Sequence, residues 1–295
     1  MSIPRPASIL TVAFVLLAGV APAQAAEPAA PAPDKTGYTL FDPTPDALLR
    51  PLETDRPGKS FSPFTVDAGH VQVESDFWLY SYDHWSPDGT TSRSTTILDP
   101  NIKIGLNDWA EFDAILPLYN ATVTRSRVGQ GRQSGQGLGD LQLGAKVNVL
   151  GNNGDGSRGI GALFYAELPS GASGIRHQLA QYTLVLPVVL PLPDNVSVTL
   201  EPGAGLLDNA TKHGYHGDGQ FIVNVNRQIP GTTVTAAIEL ALDAEADHNT
   251  GDQNTLDGSL QWMIGKNLQL DGGVYIGLNR SAPDWSPYVG FSARF

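Results

Sequence analysis

The sequence predicts an all-β protein: a transmembrane, antiparallel, up-and-down β-barrel of about twelve strands behind an irregular N-terminal segment. Three observations predict it. Beyond residue 69 the apolar residues recur with a period of two over stretches of about ten residues or more, near the length a tilted strand needs to cross a bilayer. The connections alternate between long polar loops and short turns, as in outer-membrane barrels. An export signal precedes them.

Arg5, the apolar stretch Ile9 to Val20 and the small-residue site Ala23-Gln24-Ala25 have the order of a secretory signal peptide, assigned to residues 1–25. The apolar run is too short to span about 30 Å of hydrocarbon as a helix. Residues 26–69 form the second zone. Its first part is Ala- and Pro-rich, and prolines at 51, 57 and 63 forbid a regular helix across the remainder.

Residues 70–295 carry the barrel. Leu141, Leu143, Ala145, Val147 and Val149 alternate with Gln142, Gly144, Lys146 and Asn148. Val234, Ala236, Ile238, Leu240 and Leu242 alternate with Thr235, Ala237, Glu239 and Ala241. Successive side chains on a strand point to opposite faces, so each stretch has one apolar and one polar side. The predicted strands are 71–80, 95–106, 109–119, 138–150, 158–168, 181–190, 196–206, 218–227, 233–243, 254–264, 268–279 and 285–295. The long connections are 81–94, 120–137, 169–180, 207–217 and 244–253, with a shorter one at 280–284. Trp78, Tyr80, Trp109, Tyr119, Tyr165, Tyr182, Trp262 and Trp285 fall near strand ends, where aromatic girdles form. The last strand, with Phe291 and the terminal Phe295, is similar to the assembly signal of outer-membrane barrels.

Apolar faces turned to lipid leave the other faces to line a lumen. Those positions hold Glu74, Asp76, Asp99, Lys103, Glu111, Asp113, Lys146, Glu167, Glu201, Glu239, Asp257, Asp271 and Arg294. So many carboxylates require water, a cationic partner or protonation to offset their burial. An open acidic lumen would attract cations and repel anions. Two alternatives stand beside it: an inert interior whose acids are solvated or pair with Lys103, Lys146 and Arg294, and a plug, in which Asp55, Arg56 and Lys59 enter the lumen from the periplasmic side with the basic pair meeting wall carboxylates.

Composition narrows the function further. The chain has no cysteine, which excludes thiol catalysis and disulfides, and its formal charge of -12 opposes a nucleic-acid partner. His84, His177, His213, His216 and His248 fall in or beside outer loops, with Asp83 before His84 and Asp247 before His248. A hydrolase site there needs spatial convergence, and no G-x-S-x-G nucleophile motif accompanies them. The spacing His213, His216, Asp218 and the turn Gly151 to Gly156 are weak metal patterns, and no metal or cofactor is predicted.

Glu53-Thr54-Asp55-Arg56-Pro57, Ser62-Pro63-Phe64-Thr65-Val66-Asp67-Ala68-Gly69-His70 and Val71-Gln72-Val73-Glu74-Ser75 resemble the N-terminal signature of the outer-membrane family named for a MetA pathway of phenol degradation. Gly137-Leu138-Gly139-Asp140-Leu141, Glu167-Leu168-Pro169-Ser170-Gly171 and Gly290-Phe291-Ser292-Ala293-Arg294-Phe295 are similar as well. The resemblance implies an outer-membrane barrel with a role in uptake of aromatic or other organic compounds. It carries no catalytic residues. The expected function is passive passage of a small solute; a rim hydrolase and a structural or adhesive barrel are the alternatives. The expected partners are outer-membrane lipid, lipopolysaccharide, the barrel-assembly machinery and the solute.

Overall fold

The computed structural model describes residues 34–84, 86, 89–126, 131–153, 158–209, 214–246 and 251–295. The expected signal peptide and residues 26–33 lie outside the described residues, as do His213, Asp247, His248 and the Gly154-Asp155-Gly156 part of the turn.

The extended segments form twelve antiparallel strands closed into one barrel. They are β1 Val71–Asp83; β2 Thr90–Ile97 with Asn101–Gly105; β3 Ala110–Ile115 with Tyr119–Ser126; β4 Arg132–Gly137 with Leu141–Leu150; and β5 Gly159–Leu168. Next come β6 Gln181–Val185 with Val188–Leu192, β7 Val196–Asp208, β8 Tyr215–Gln228 and β9 Val234–Glu245. β10 Thr255–Ile264, β11 Leu268–Gly277 and β12 Trp285–Arg294 complete the wall. Each pairs with its sequence neighbour, and β12 closes on β1 from Gln72↔Arg294 to Tyr82↔Trp285. Closure at β12 and β1 joins the two ends of the sheet, the condition for a sheet in hydrocarbon. Among the described residues only Arg132–Gly137, beyond the apolar belt, is paired on one side alone.

The breaks within β2, β3 and β6 fall at Pro100, Pro117 and Pro187, which lack the N–H a ladder needs. β4 breaks beside Gly137, whose φ of 137° other residues rarely adopt. Neighbouring groups bridge these gaps: the Leu118 N–H donates to the Leu98 carbonyl at 2.7 Å and the Gly139 N–H to the Pro117 carbonyl at 2.9 Å. The wall therefore bends without opening.

Two expectations need correction. Residues 81–94 and 120–137, read as long loops, are largely strand, because β1 to β4 run on past the apolar belt. Thr90 to Thr96 is all Thr, Ser and Arg, so no apolar alternation marks it; threonine nonetheless favours extended backbone. Tyr165, read as a girdle residue, points inward and is only 6% exposed.

The outer surface carries the apolar side chains. Phe112, Phe164, Phe221, Leu260 and Val289 are exposed, as are Trp78, Trp109, Tyr119, Tyr182, Trp262 and Trp285 among the expected girdle residues. A closed sheet that is apolar outside and polar inside is a membrane-spanning barrel. No helix among the described residues is long and apolar enough to cross a membrane. The inner face also holds a small apolar cluster: Leu163, Tyr165 and Val185, with Ile115 and Phe61 packed against it.

Candidate functional site: the occupied lumen

Residues 34–69 contain almost no regular structure beyond one turn of 3-10 helix, Asp46–Leu48. Up to Leu49 several of their backbone N–H groups bond within the segment, but from residue 50 to 66 none meets a backbone carbonyl among the described residues, and a buried N–H needs a partner. The wall supplies the partners. Glu74 accepts from Asp55 N–H at 2.9 Å and Glu201 from Phe61 N–H at 2.7 Å. Glu111 accepts from Val66 N–H at 2.5 Å. Glu239 accepts from Lys59 N–H at 2.7 Å and from Ser60 N–H at 3.0 Å. These carboxylates belong to β1, β7, β3 and β9, so the segment is held from all around the barrel.

Two charge clusters anchor it. The Arg56 guanidinium reaches Asp76 on β1 at 2.6 Å and Asp271 on β11 at 2.7 Å. Asp55 belongs to the second cluster, where Lys103 of β2 lies at 2.6 Å and Lys146 of β4 at 2.8 Å. Lys146 also meets Glu111 at 3.0 Å, and Lys103 meets Glu74 at 3.1 Å. All are nearly inaccessible to solvent. Burial alone would raise the Asp55 carboxyl, but the ammonium groups of Lys103 and Lys146 outweigh it and bring it down to about 2. Asp55, Glu111 and Asp113 bring carboxylate oxygens together, and Lys103 and Lys146 set two positive charges against them.

The remaining positions behave individually. Lys59 places its ammonium 5.4 Å from the Tyr275 ring centroid, and its backbone rather than its charge meets Glu239. Asp99, half-buried, accepts from the Asp76 N–H at 2.7 Å. Asp113 accepts from the Tyr165 hydroxyl at 2.7 Å, and Asp257 from the Tyr288 hydroxyl at 2.8 Å. Arg294 donates to the Arg50 carbonyl and to Asn267 at 2.8 Å each. Glu167 lies outside this network, near the outer end, against His177. Phe291 stacks on Phe77 at 4.8 Å, and Phe295 is exposed. The carboxylate acceptors for segment N–H groups are the feature sequence reasoning missed; the signal available was a proline-rich stretch with unsatisfied amides beside a surplus of inward acids.

Of the outer-rim histidines, His177 contacts Asp140 and Glu167, while His216 contacts Asn209 and Glu245. Among the described residues no serine hydroxyl reaches either of them. Each end of the lumen keeps a cavity. One of about 700 Å3 lies at the long-loop end beside His177 and Asp208. One of about 450 Å3 lies toward the short turns, between the segment and β6 to β11.

No protein of curated function matches the chain. An outer membrane channel from Pseudomonas putida F1 is 15% identical, with 77% of this chain and 95% of that chain covered and a TM-score of 0.51. The β domain of a Bordetella autotransporter is 13% identical over 76% of this chain and 97% of that chain, with a TM-score of 0.46. At such identities the first likeness is one of fold, and it is the fold described above. The model of the family described as Putative MetA-pathway of phenol degradation matches residues 54–295, and the chain belongs to that family.

Proposed function

We propose that the protein is an outer-membrane channel for passive passage of a small uncharged organic solute, narrowed by residues 34–69 acting as a fixed plug. The 450 Å3 cavity carries this reading. Its wall side offers Thr199, Asn224, Asn226, Gln228, Thr235 and Gln261, all neutral hydrogen-bonding groups. Its plug side adds Leu52, Phe61 and Phe64, with the charged Glu53 and Arg56 also at its lining. An apolar surface facing a few amides and hydroxyls suits a solute with one aromatic body and one polar group. The family's description supports the same class, since phenol has that shape and is uncharged at neutral pH.

The wall carboxylates then serve mainly as anchors rather than as a cation filter. Glu74, Glu111, Glu201, Glu239, Asp76 and Asp271 all bind the segment. Phe291 and Phe295 are read as the element recognised by the barrel-assembly machinery, and the apolar belt as the surface facing lipid and lipopolysaccharide.

Liposome swelling with purified protein tests the channel. Uncharged aromatic solutes should enter faster than anions or cations of equal size, and Asn226→Trp should slow them. A cation-selective conductance indifferent to Asn226→Trp would replace this reading with the open acidic lumen. Impermeable vesicles would favour a structural role.

A further inference from the structure

Near the long-loop end, Asp140, Glu167 and His177 bring three donor atoms together from three elements. His177 Nδ1 lies 2.9 Å from Glu167 Oε1 and 3.1 Å from Asp140 Oδ2. All three atoms lie within 4.8 Å of one another. Asp140 is the last residue of the break in β4, Glu167 stands near the end of β5, and His177 belongs to the connection to β6.

We propose that Asp140, Glu167 and His177 form a binding site for a divalent first-row transition ion of the zinc type. One imidazole with two carboxylates suits such ions better than calcium or magnesium, which take oxygen alone. Zinc bonds of about 2.0–2.1 Å place tetrahedral donors about 3.3 Å apart, so the two separations from His177 need shift by only a few tenths of an ångström. The ligands are held from behind. Gln142 Nε2 donates to the other Glu167 oxygen at 3.1 Å, and the Gly171 N–H donates to Asp140 Oδ1 at 2.7 Å. Such outer partners fix ligand orientation. The His177 side chain is 46% exposed and borders the 700 Å3 cavity, which leaves an approach and a fourth position for water.

Binding replaces the proton that Nδ1 shares with the carboxylates, and that proton leaves to solvent. The ion ties the connection between β5 and β6 to the wall at the outer mouth. This site is separate from the proposed solute cavity and does not depend on it.

Calorimetric titration of the chelator-stripped full chain in detergent micelles with Zn2+ alone tests the proposal. One ion should bind per chain, His177→Ala should weaken it at least about tenfold, and Gln142→Ala should weaken it less. Glu167→Gln, the milder change, should act as His177→Ala does should that variant lose heat-modifiable migration on gels. His216→Ala should leave binding unchanged. No saturable binding, binding of several ions indifferent to His177→Ala, or binding lost with His216→Ala would overturn it.

Discussion

The Arg56 guanidinium fills the notch that Gly290 leaves in the wall; a Cβ at Gly290 would overlap it. Gly290 lies on β12, and the two aspartates that hold Arg56 lie on β1 and β11, the strands flanking it. A missing side chain on the middle strand lets one arginine bridge both neighbours. Gly105 makes the same room for the Asp67 carbonyl, and Gly161 for Pro63. The wall is shaped to its occupant.

Gly290→Val should therefore push Arg56 out of the notch and separate it from Asp76 and Asp271. Overpacking of this kind costs about 1–3 kcal/mol. The measurement is the urea midpoint followed by tryptophan fluorescence, compared with Arg56→Ala. An unchanged midpoint in Gly290→Val would mean that the guanidinium is not seated there.

Asp55→Ala removes the partner shared by Lys103 and Lys146. Breaking a buried pair leaves uncompensated charge and costs about 3–5 kcal/mol; Glu74 and Glu111 remain nearby, which favours the lower end. Adding Lys146→Met to Asp55→Ala should recover part of the loss. A double variant weaker than the single one would contradict this pairing.

The same pair sets an acid limit. The folded Asp55 carboxyl, at about 2, lies below its unfolded value of about 3.9. Its contribution is present above the unfolded value and is lost as pH falls through about 2. The difference in urea midpoint between the wild type and Asp55→Asn should hold from neutral pH to about 4 and shrink below that. A difference that vanishes between pH 5 and 7 would refute the assignment.

At the outer mouth the sign reverses. Hydrogen bonding to Glu167, outweighing burial, and the nearby Asp140 raise His177 above its usual value. The tie between this histidine and its carboxylates is complete below about 6.5 and is lost as pH rises through the raised value. A nitroxide at Ser173→Cys, a unique cysteine in this chain, should grow more mobile as pH rises in metal-free buffer. Mobility that falls with rising pH would contradict the tie.

Much of the barrel was legible because lipid on one side and a polar lumen on the other impose a period of two. Leu141 to Val149 and Val234 to Leu242 show it directly. Legibility failed where that contrast ends. Thr90 to Thr96 stands beyond the apolar belt, so nothing distinguished its two faces, and Tyr165 carries an aromatic ring whose hydroxyl meets Asp113 inside. Within the lumen the acids could be identified by alternation, but their partners could not. Backbone N–H groups from residues 55 to 66 leave no mark in sequence, and only the fold shows which carboxylate each one meets.

The central claim is that residues 34–69 stay seated inside the barrel while solute passes beside them. Thr65 and Asn152 test it most directly, because the Asn152 amide donates to the Thr65 hydroxyl at 2.7 Å and the chain has no cysteine of its own. Thr65→Cys with Asn152→Cys should form an intramolecular disulfide on mild oxidation, with liposome entry of an uncharged aromatic solute unchanged. Failure to cross-link, or a cross-link that stops entry, would contradict the account.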